Sequence, residues 1–235
     1  MTGTFINVIA ILVGSGIGVL FGSHLSDRLK STVLSGMGIF TAAVGMQMFL
    51  KTENALVVLG ALILGAVLGE WWKIEDWLQN LGIWLERRLP GGNSEGNSSL
   101  FVRGFLASSV LYCTGPMAVL GAISDGLSGD YVTLSIKSVL DGFLSIAFAS
   151  TLGIGVAFSA LPVFVYQGAI SLLAAQLNAI VNTGMMNEMT ATGGVLLIGI
   201  GISSMLELKK IRVGNFLPAL AIAPAIVCVI GLFTK

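Results

Sequence analysis

Charge is what this sequence has least of. Only 10% of its 235 residues are Asp, Glu, Lys or Arg, and 12 basic residues balance 12 acidic ones to a formal net charge of zero. No surplus of either sign is available to attract nucleic acid or a strongly charged partner. Histidine occurs once, at His24, and cysteine twice, at Cys113 and Cys228, without a CxxC pair or a Cys/His cluster. Those counts support neither a disulfide framework nor a zinc site. No nucleophile stands beside a base, and "GSGIG" lies inside an apolar run with no strand before it, so it is not a phosphate loop. An enzyme is the least supported class, and the sequence indicates no particular cofactor and no metal site.

What the sequence has instead is apolar length. Hydrophobic residues make up 55% of the chain and mean hydropathy is +0.93, far outside the range of soluble domains. Several runs reach the roughly 20 residues needed to cross a ~30 Å hydrocarbon core. The expected fold is an all-α polytopic membrane protein whose medium is the lipid bilayer. Eight spans are expected, near 4–22, 32–50, 55–72, 101–123, 136–157, 160–181, 191–208 and 214–233. The N-terminal run has no basic segment before it and no small-residue cleavage site after it, so it reads as a retained first span. Pro162 in "FSALPV" marks either a kink or a helix start between the fifth and sixth spans.

The few cations test this layout. Arg28, Lys30, Lys73, Arg87, Arg88, Arg103, Lys209, Lys210 and Arg212 fall on one side, and Lys51, Lys137 and Lys235 on the other. By the positive-inside rule the nine lie in the cytoplasm, which puts both termini outside. After the third span, Ile74, Trp77, Leu78, Leu81, Trp84 and Leu85 recur at helical spacing among charged and amide residues. This predicts an amphipathic helix over 74–89, either lying at headgroup depth or packed on another loop.

A Gly/Ser/Asn-rich linker over 91–100 divides the chain into a three-span unit, 1–90, and a five-span unit, 101–235. "VLFGSHLSDRLKSTVLSGMGIF" from Val19 and "VLGAISDGLSGDYVTLSIKSVLDGFLSIAF" from Val119 share a Gly/Ser/Asp loop and a Lys-Ser pair. If these are repeats, three spans before the linker and three over 101–181 form a 3+3 inverted repeat, with two more spans over 191–235.

Asp141, in "KSVLDG", is the leading candidate for a buried ionisable group. Intramembrane acids usually face the bundle interior and mark an ion or substrate path. The bland alternative is an i,i+4 ion pair with Lys137 near the outer interface. Thr114-Gly115-Pro116 breaks a span, because Pro116 cannot donate to the carbonyl of Tyr112; carbonyls freed there either find neighbouring helices or line a cavity. "GNFLPALAIAPAIV" carries a second such device, with Asn215, Pro218 and Pro224. Asn7, Gln47, Tyr166, Gln167, Gln176, Asn178 and Asn182 read first as interhelical hydrogen-bond partners. Glu70 and Glu207, each three residues before a lysine, read as interfacial ion pairs with Lys73 and Lys210. Glycines 14, 18 and 22, and 65 and 69, form small-residue faces that allow close helix packing, within the chain or across a homodimer.

"GTFINVIAILVGSGIG", "CTGPMAVLGAISDGLSGD", "KSVLDG" and "IRVGNFLPAL" together resemble the bacterial YqgA/YdfK-like membrane-protein family, domain of unknown function 554, over essentially the whole chain. The resemblance implies a multi-pass protein of the bacterial inner membrane. Its members are described as integral membrane proteins or transporter candidates, with no established substrate or site residues to carry over.

Three functions are expected to compete. In the first, a small-solute or ion transporter works by alternating access: Asp141 holds a monovalent cation or proton, Thr114, Gly115 and Pro116 shape a backbone-lined pocket, and Asn7 and Asn215 supply neutral ligands. The second is an oligomeric channel-like pore. The third is a scaffold or assembly protein acting through the amphipathic helix.

Overall fold

The computed structural model describes residues 1–24, 26–86, 97–206, 208–209 and 211–233. Among these the regular structure is helical throughout: α1 (Thr2–Gly22), α2 (Asp27–Phe49), α3 (Ala55–Trp72), α4 (Ile74–Glu86), α5 (Asn97–Cys113), α6 (Pro116–Ser128), α7 (Val132–Leu152), α8 (Gly155–Phe158), α9 (Ala160–Leu172), α10 (Ala174–Ile180), α11 (Thr183–Ile200) and α12 (Ala219–Phe233). The chain is therefore an all-α polytopic membrane protein. Seven segments are long and apolar enough to span, or eight if α5 and α6, bent by 60° at their junction, count as one.

Helix ends follow local chemistry. Asn54 caps α3 by accepting from Leu56 N (3.1 Å), and Asn182 caps α11 by accepting from Met185 N (2.8 Å). Lys73 adopts a left-handed conformation (φ 53°) that stops α3 and turns the chain into α4. Gly129 and Gly153, with φ 70° and 74°, end α6 and α7 where a side chain would be strained. Pro162 sits in the first turn of α9, where no helical amide is needed, so it is a helix start.

Several expected boundaries move. The span expected over 101–123 is two helices, since Gly115 in extended conformation and Pro116 at the first position of α6 end one helix and begin the next. The span expected over 136–157 starts at Val132 and stops at Gly153, which moves Lys137 from the expected first turn into the second turn of the helix. The one expected over 191–208 begins at Thr183, because Asn182 supplies a cap that hydropathy alone does not weigh. Of the linker at 91–100, residues 97–100 are the first turn of α5 and the rest lie outside the described residues.

The chain folds as two compact units, Met1–Gly36 with Gly82–Ile180, and Met37–Leu81 with Val181–Lys235. The first is organised by α1 and α7, which run in the same direction. Gly14, Gly18 and Gly22 of α1 meet the backbone carbonyls of Gly142, Ile146 and Ser150, so closely that an added methyl would collide with each. In the second unit α2 and α11 run in opposite directions, with Gly45 and Gly194 each set against the other's carbonyl. Helices α3 and α12 are likewise antiparallel, with Gly65 against Ala219 and Gly69 against Asn215. The small-residue faces are thus occupied inside the chain. Outward faces of α1, α3 and α7 expose Phe5, Leu12, Leu64, Val67, Val139 and Phe143, as expected of helices solvated by lipid.

Candidate functional site

In the first unit, one helical turn separates Lys137 from Asp141 on the inner face of α7, and both residues are buried (5% and 4% exposed). The Lys137 ammonium pairs with Asp141 Oδ2. The i,i+4 pair expected at the outer interface is therefore present, but it lies in the protein interior, where a charge is tolerated only with a partner. α1 brings a third group: Asn7 Nδ2 donates to the same Asp141 oxygen at 3.0 Å and to Gln167 Oε1 of α9 at 3.4 Å. Asn7 reaches this point because the glycines of α1 let its backbone lie directly on α7.

The α5 side of the pair is aromatic. Lys137 Nζ stands 5.6 Å from the centroid of the Tyr112 ring, within range of a cation–π attraction. The Tyr112 hydroxyl shares a 2.8 Å hydrogen bond with Ser145 Oγ of α7. Tyr112 lies just before the helix break. Thr114, also buried, turns its hydroxyl back to donate to the carbonyl of Val110 at 2.6 Å, alongside the Thr114 amide at 3.1 Å. Gly115 accepts from Ala118 N at 3.0 Å and so closes the first turn of α6. The break thus satisfies much of its own hydrogen bonding locally, and its role is to end α5 beside Lys137.

Asn215, expected to join Asp141, belongs to the second unit and is engaged there. Its Oδ1 accepts from Glu75 N at 2.7 Å, and its Nδ2 donates to Glu70. Glu70 pairs with Arg212 at 2.9 Å rather than with the Lys73 expected from sequence spacing, because the left-handed turn at Lys73 redirects the chain. Glu207 and Lys210 lie outside the described residues. Glu75 is buried and accepts from Gly214 N at 2.7 Å, which ties α4 to the short helical turn Val213–Phe216. Within the second unit α4 is therefore packed through Glu75 and Leu78, while Trp71, Trp72 and Trp77 stay exposed, as does Trp84 at the far end of α4.

Glu188 did not stand out in the sequence, where it falls in an expected loop. It is 2% exposed on α11, and its carboxylate accepts from Thr52 Oγ1 (2.7 Å), Glu53 N (2.7 Å) and Asn54 N (2.9 Å). A carboxylate thus caps the amino end of α3, just as Glu75 meets the segment that leads into α12. Asn182, a residue type suited to capping and followed one turn later by Met185 and Met186, is the sequence signal that draws Glu188 into a helix.

Among the described residues no group of three or more His, Cys, Asp or Glu side chains is arranged to hold a metal ion.

The family model for "Protein of unknown function (DUF554)" matches residues 2–228. The chain is 32% identical to "Uncharacterized membrane protein YdfK" of Bacillus subtilis (strain 168), over 99% of this chain and 98% of that one. It is 29% identical to "Uncharacterized protein YqgA" of Escherichia coli (strain K12), over 94% of each. No solved structure matches it.

Proposed function

The chain belongs to the DUF554 family, and from that premise we propose that it is a secondary transporter of a small solute or ion, working by alternating access in the bacterial inner membrane. The observation that carries this reading is the buried Lys137–Asp141 pair with Asn7 on the same carboxylate oxygen. Holding two opposite charges inside a membrane helix bundle is expensive, and replacement by apolar residues of similar volume would often be neutral or favourable. A site that must bind and release a cation or proton has a reason to bear that cost.

Asp141 is the binding group and Lys137 its resident counter-charge. Asn7 and Gln167 position the carboxylate, and Tyr112 holds the ammonium on the α5 side. Thr114, Gly115 and Pro116 serve by ending α5 at the site. Uptake at Asp141 weakens its hold on Lys137, so occupancy is linked to the packing of α7 against α1 and α5. Asn215 has a structural part in this reading, within the network of Glu70 and Glu75. No enzymatic step is invoked.

The test is solid-supported-membrane recording on proteoliposomes, with concentration jumps of monovalent cations, protons and a panel of small polar solutes. Saturable transient currents are expected for at least one species, and Asp141→Asn should abolish them while the protein remains monodisperse. Full currents from Asp141→Asn would remove the site; currents that never saturate would indicate a pore.

A further inference from the structure

Asp141 Oδ2 already receives two donors, the Lys137 ammonium and the Asn7 amide. A metal cation binds by gathering several oxygen ligands around itself, as calcium and magnesium do at about 2.0–2.6 Å. Here the cation's place against the carboxylate is held by an ammonium from the same helix, which also repels a second cation. A proton needs no such place, since it adds to a lone pair of the carboxylate without a ring of ligands around it.

Close to the pair are polar atoms that have no partner among the described residues: Asn7 Oδ1 and Gln167 Nε2, on side chains wholly excluded from the surface. Thr4 Oγ1 and Ser15 Oγ are in the same condition. Thr4, Asn7 and Ser15 all lie on the buried face of α1. At ~1.5 Å per residue, Thr4 and Ser15 are about 16 Å apart along the helix, half of a ~30 Å hydrocarbon core. Serine and threonine in helices commonly satisfy themselves on the carbonyl one turn back, as Ser138 and Thr114 do here. Thr4 and Ser15 do not. Buried polar atoms left in this state are the usual anchors of internal water, which forms about three hydrogen bonds per molecule.

We propose that the ion handled by Lys137 and Asp141 is the proton and not a metal cation, and that it travels through water molecules held by Thr4, Asn7, Ser15 and Gln167 along the buried face of α1. The inference rests on the reading of the pair as a transport site, and adds the identity of the ion and its path. On uptake, one proton from the water file adds to the Asp141 carboxylate and gives the neutral acid. Lys137 keeps its three protons and loses its counter-ion; release reverses both changes. The other titratable groups on elements packed around the pair are Arg103, Tyr112 and Cys113 from α5, Asp125 from α6 and Tyr166 from α9; α1 and α8 carry no titratable side chain, and the Met1 ammonium that precedes α1 pairs with Asp125 Oδ1 at 3.0 Å. Asp125 is itself engaged, accepting from the amide of Gly3 at 3.0 Å.

The experiment is infrared difference spectroscopy on the full chain in nanodiscs, between acid and alkaline buffer, in sodium chloride and in choline chloride of equal strength. A protonated-carboxyl band is expected to rise on acidification with the same midpoint in both salts, and to be missing from Asp141→Asn. If that variant does not fold, Asp141→Glu identifies the band by displacing its frequency. After a pH jump, Thr4→Val and Ser15→Ala should each slow the rise of the band severalfold and leave its amplitude unchanged. A midpoint that moves with sodium but not choline overturns the choice of ion; a spectrum with no Asp141-dependent band overturns proton exchange at the pair. Unaltered rates in both hydroxyl variants overturn the water file. A protein that shows the band yet carries no current in the proteoliposome recording fails the transport reading alone.

Discussion

At the scale of single residues, burial decides what each polar side chain does. Asp141 and Lys137 stand out in the sequence because charges inside an apolar run are rare, and their spacing already suggests an ion pair. What the sequence does not contain is depth. The same i,i+4 pair is unremarkable at an interface and costly in a core, and the difference depends on α1 lying against α7. Gln167 is visible only as one amide among several, and its contact with Asn7 is a tertiary fact joining residues 160 positions apart. Glu188 illustrates the opposite case, an ionisable residue with a purely structural explanation. Its carboxylate satisfies the Thr52 hydroxyl and two backbone amides at the start of α3. Replacing Glu188 with Ala should lower stability by about 2–3 kcal/mol, the scale of losing hydrogen bonds to a charged acceptor. A fall in the thermal unfolding midpoint of the detergent-solubilised protein would register this, and an unchanged midpoint would show that the cap carries no weight.

At the scale of helices, the governing contact is α1 on α7. Gly14, Gly18 and Gly22 are readable as a small-residue face, but four-residue spacing is the same whether the partner is another helix of the chain or a second copy. The structure uses the face within the chain, on the carbonyls of Gly142, Ile146 and Ser150. Gly16, in the same "GSGIG", has open space where its side chain would be. Gly18→Leu should therefore destabilise by several kcal/mol, at or beyond the ~1–3 kcal/mol typical of overpacking, since backbone atoms cannot move aside. Gly16→Ala should leave the unfolding midpoint unchanged or slightly raised. Equal effects from the two would contradict the assigned packing. The break between α5 and α6 is legible from Thr114-Gly115-Pro116, because those residues forbid a continuous helix whatever surrounds them. That it ends α5 beside Lys137 is not legible, since it depends on where α7 lies.

For the whole molecule, helix direction bears on how often the chain crosses the membrane. Helices α1 and α7 are parallel, whereas α2 opposes α11 and α3 opposes α12. Spans alternate in direction, so after α1, α2 and α3 the bent α5–α6 pair must count as one crossing for α7 to run parallel with α1. On that count the chain crosses eight times, the upper of the two numbers that helix length and composition allow, and both of its ends are expected on one side. Reporter fusions at the two ends should give the same sidedness, with insertions after Lys73 and Ile211 giving the opposite; discordant ends would refute eight. The hydropathy runs and the nine-against-three distribution of cations point to the same count, because crossing number is written largely in composition. Helix pairing is written in contacts between distant residues, which is why only part of the candidate site is legible in the sequence. If alternating access is right, the buried amide of Gln167 must meet water from each side in turn. The most direct measurement is thiol labelling of Gln167→Cys in a chain carrying Cys113→Ser and Cys228→Ser, using a membrane-impermeant reagent applied to one side of the membrane at a time. Modification from either side, at rates that shift in opposite directions when the pH gradient is reversed, is the predicted result. A cysteine that reacts from neither side would show that Asp141 and its neighbours form a closed structural core.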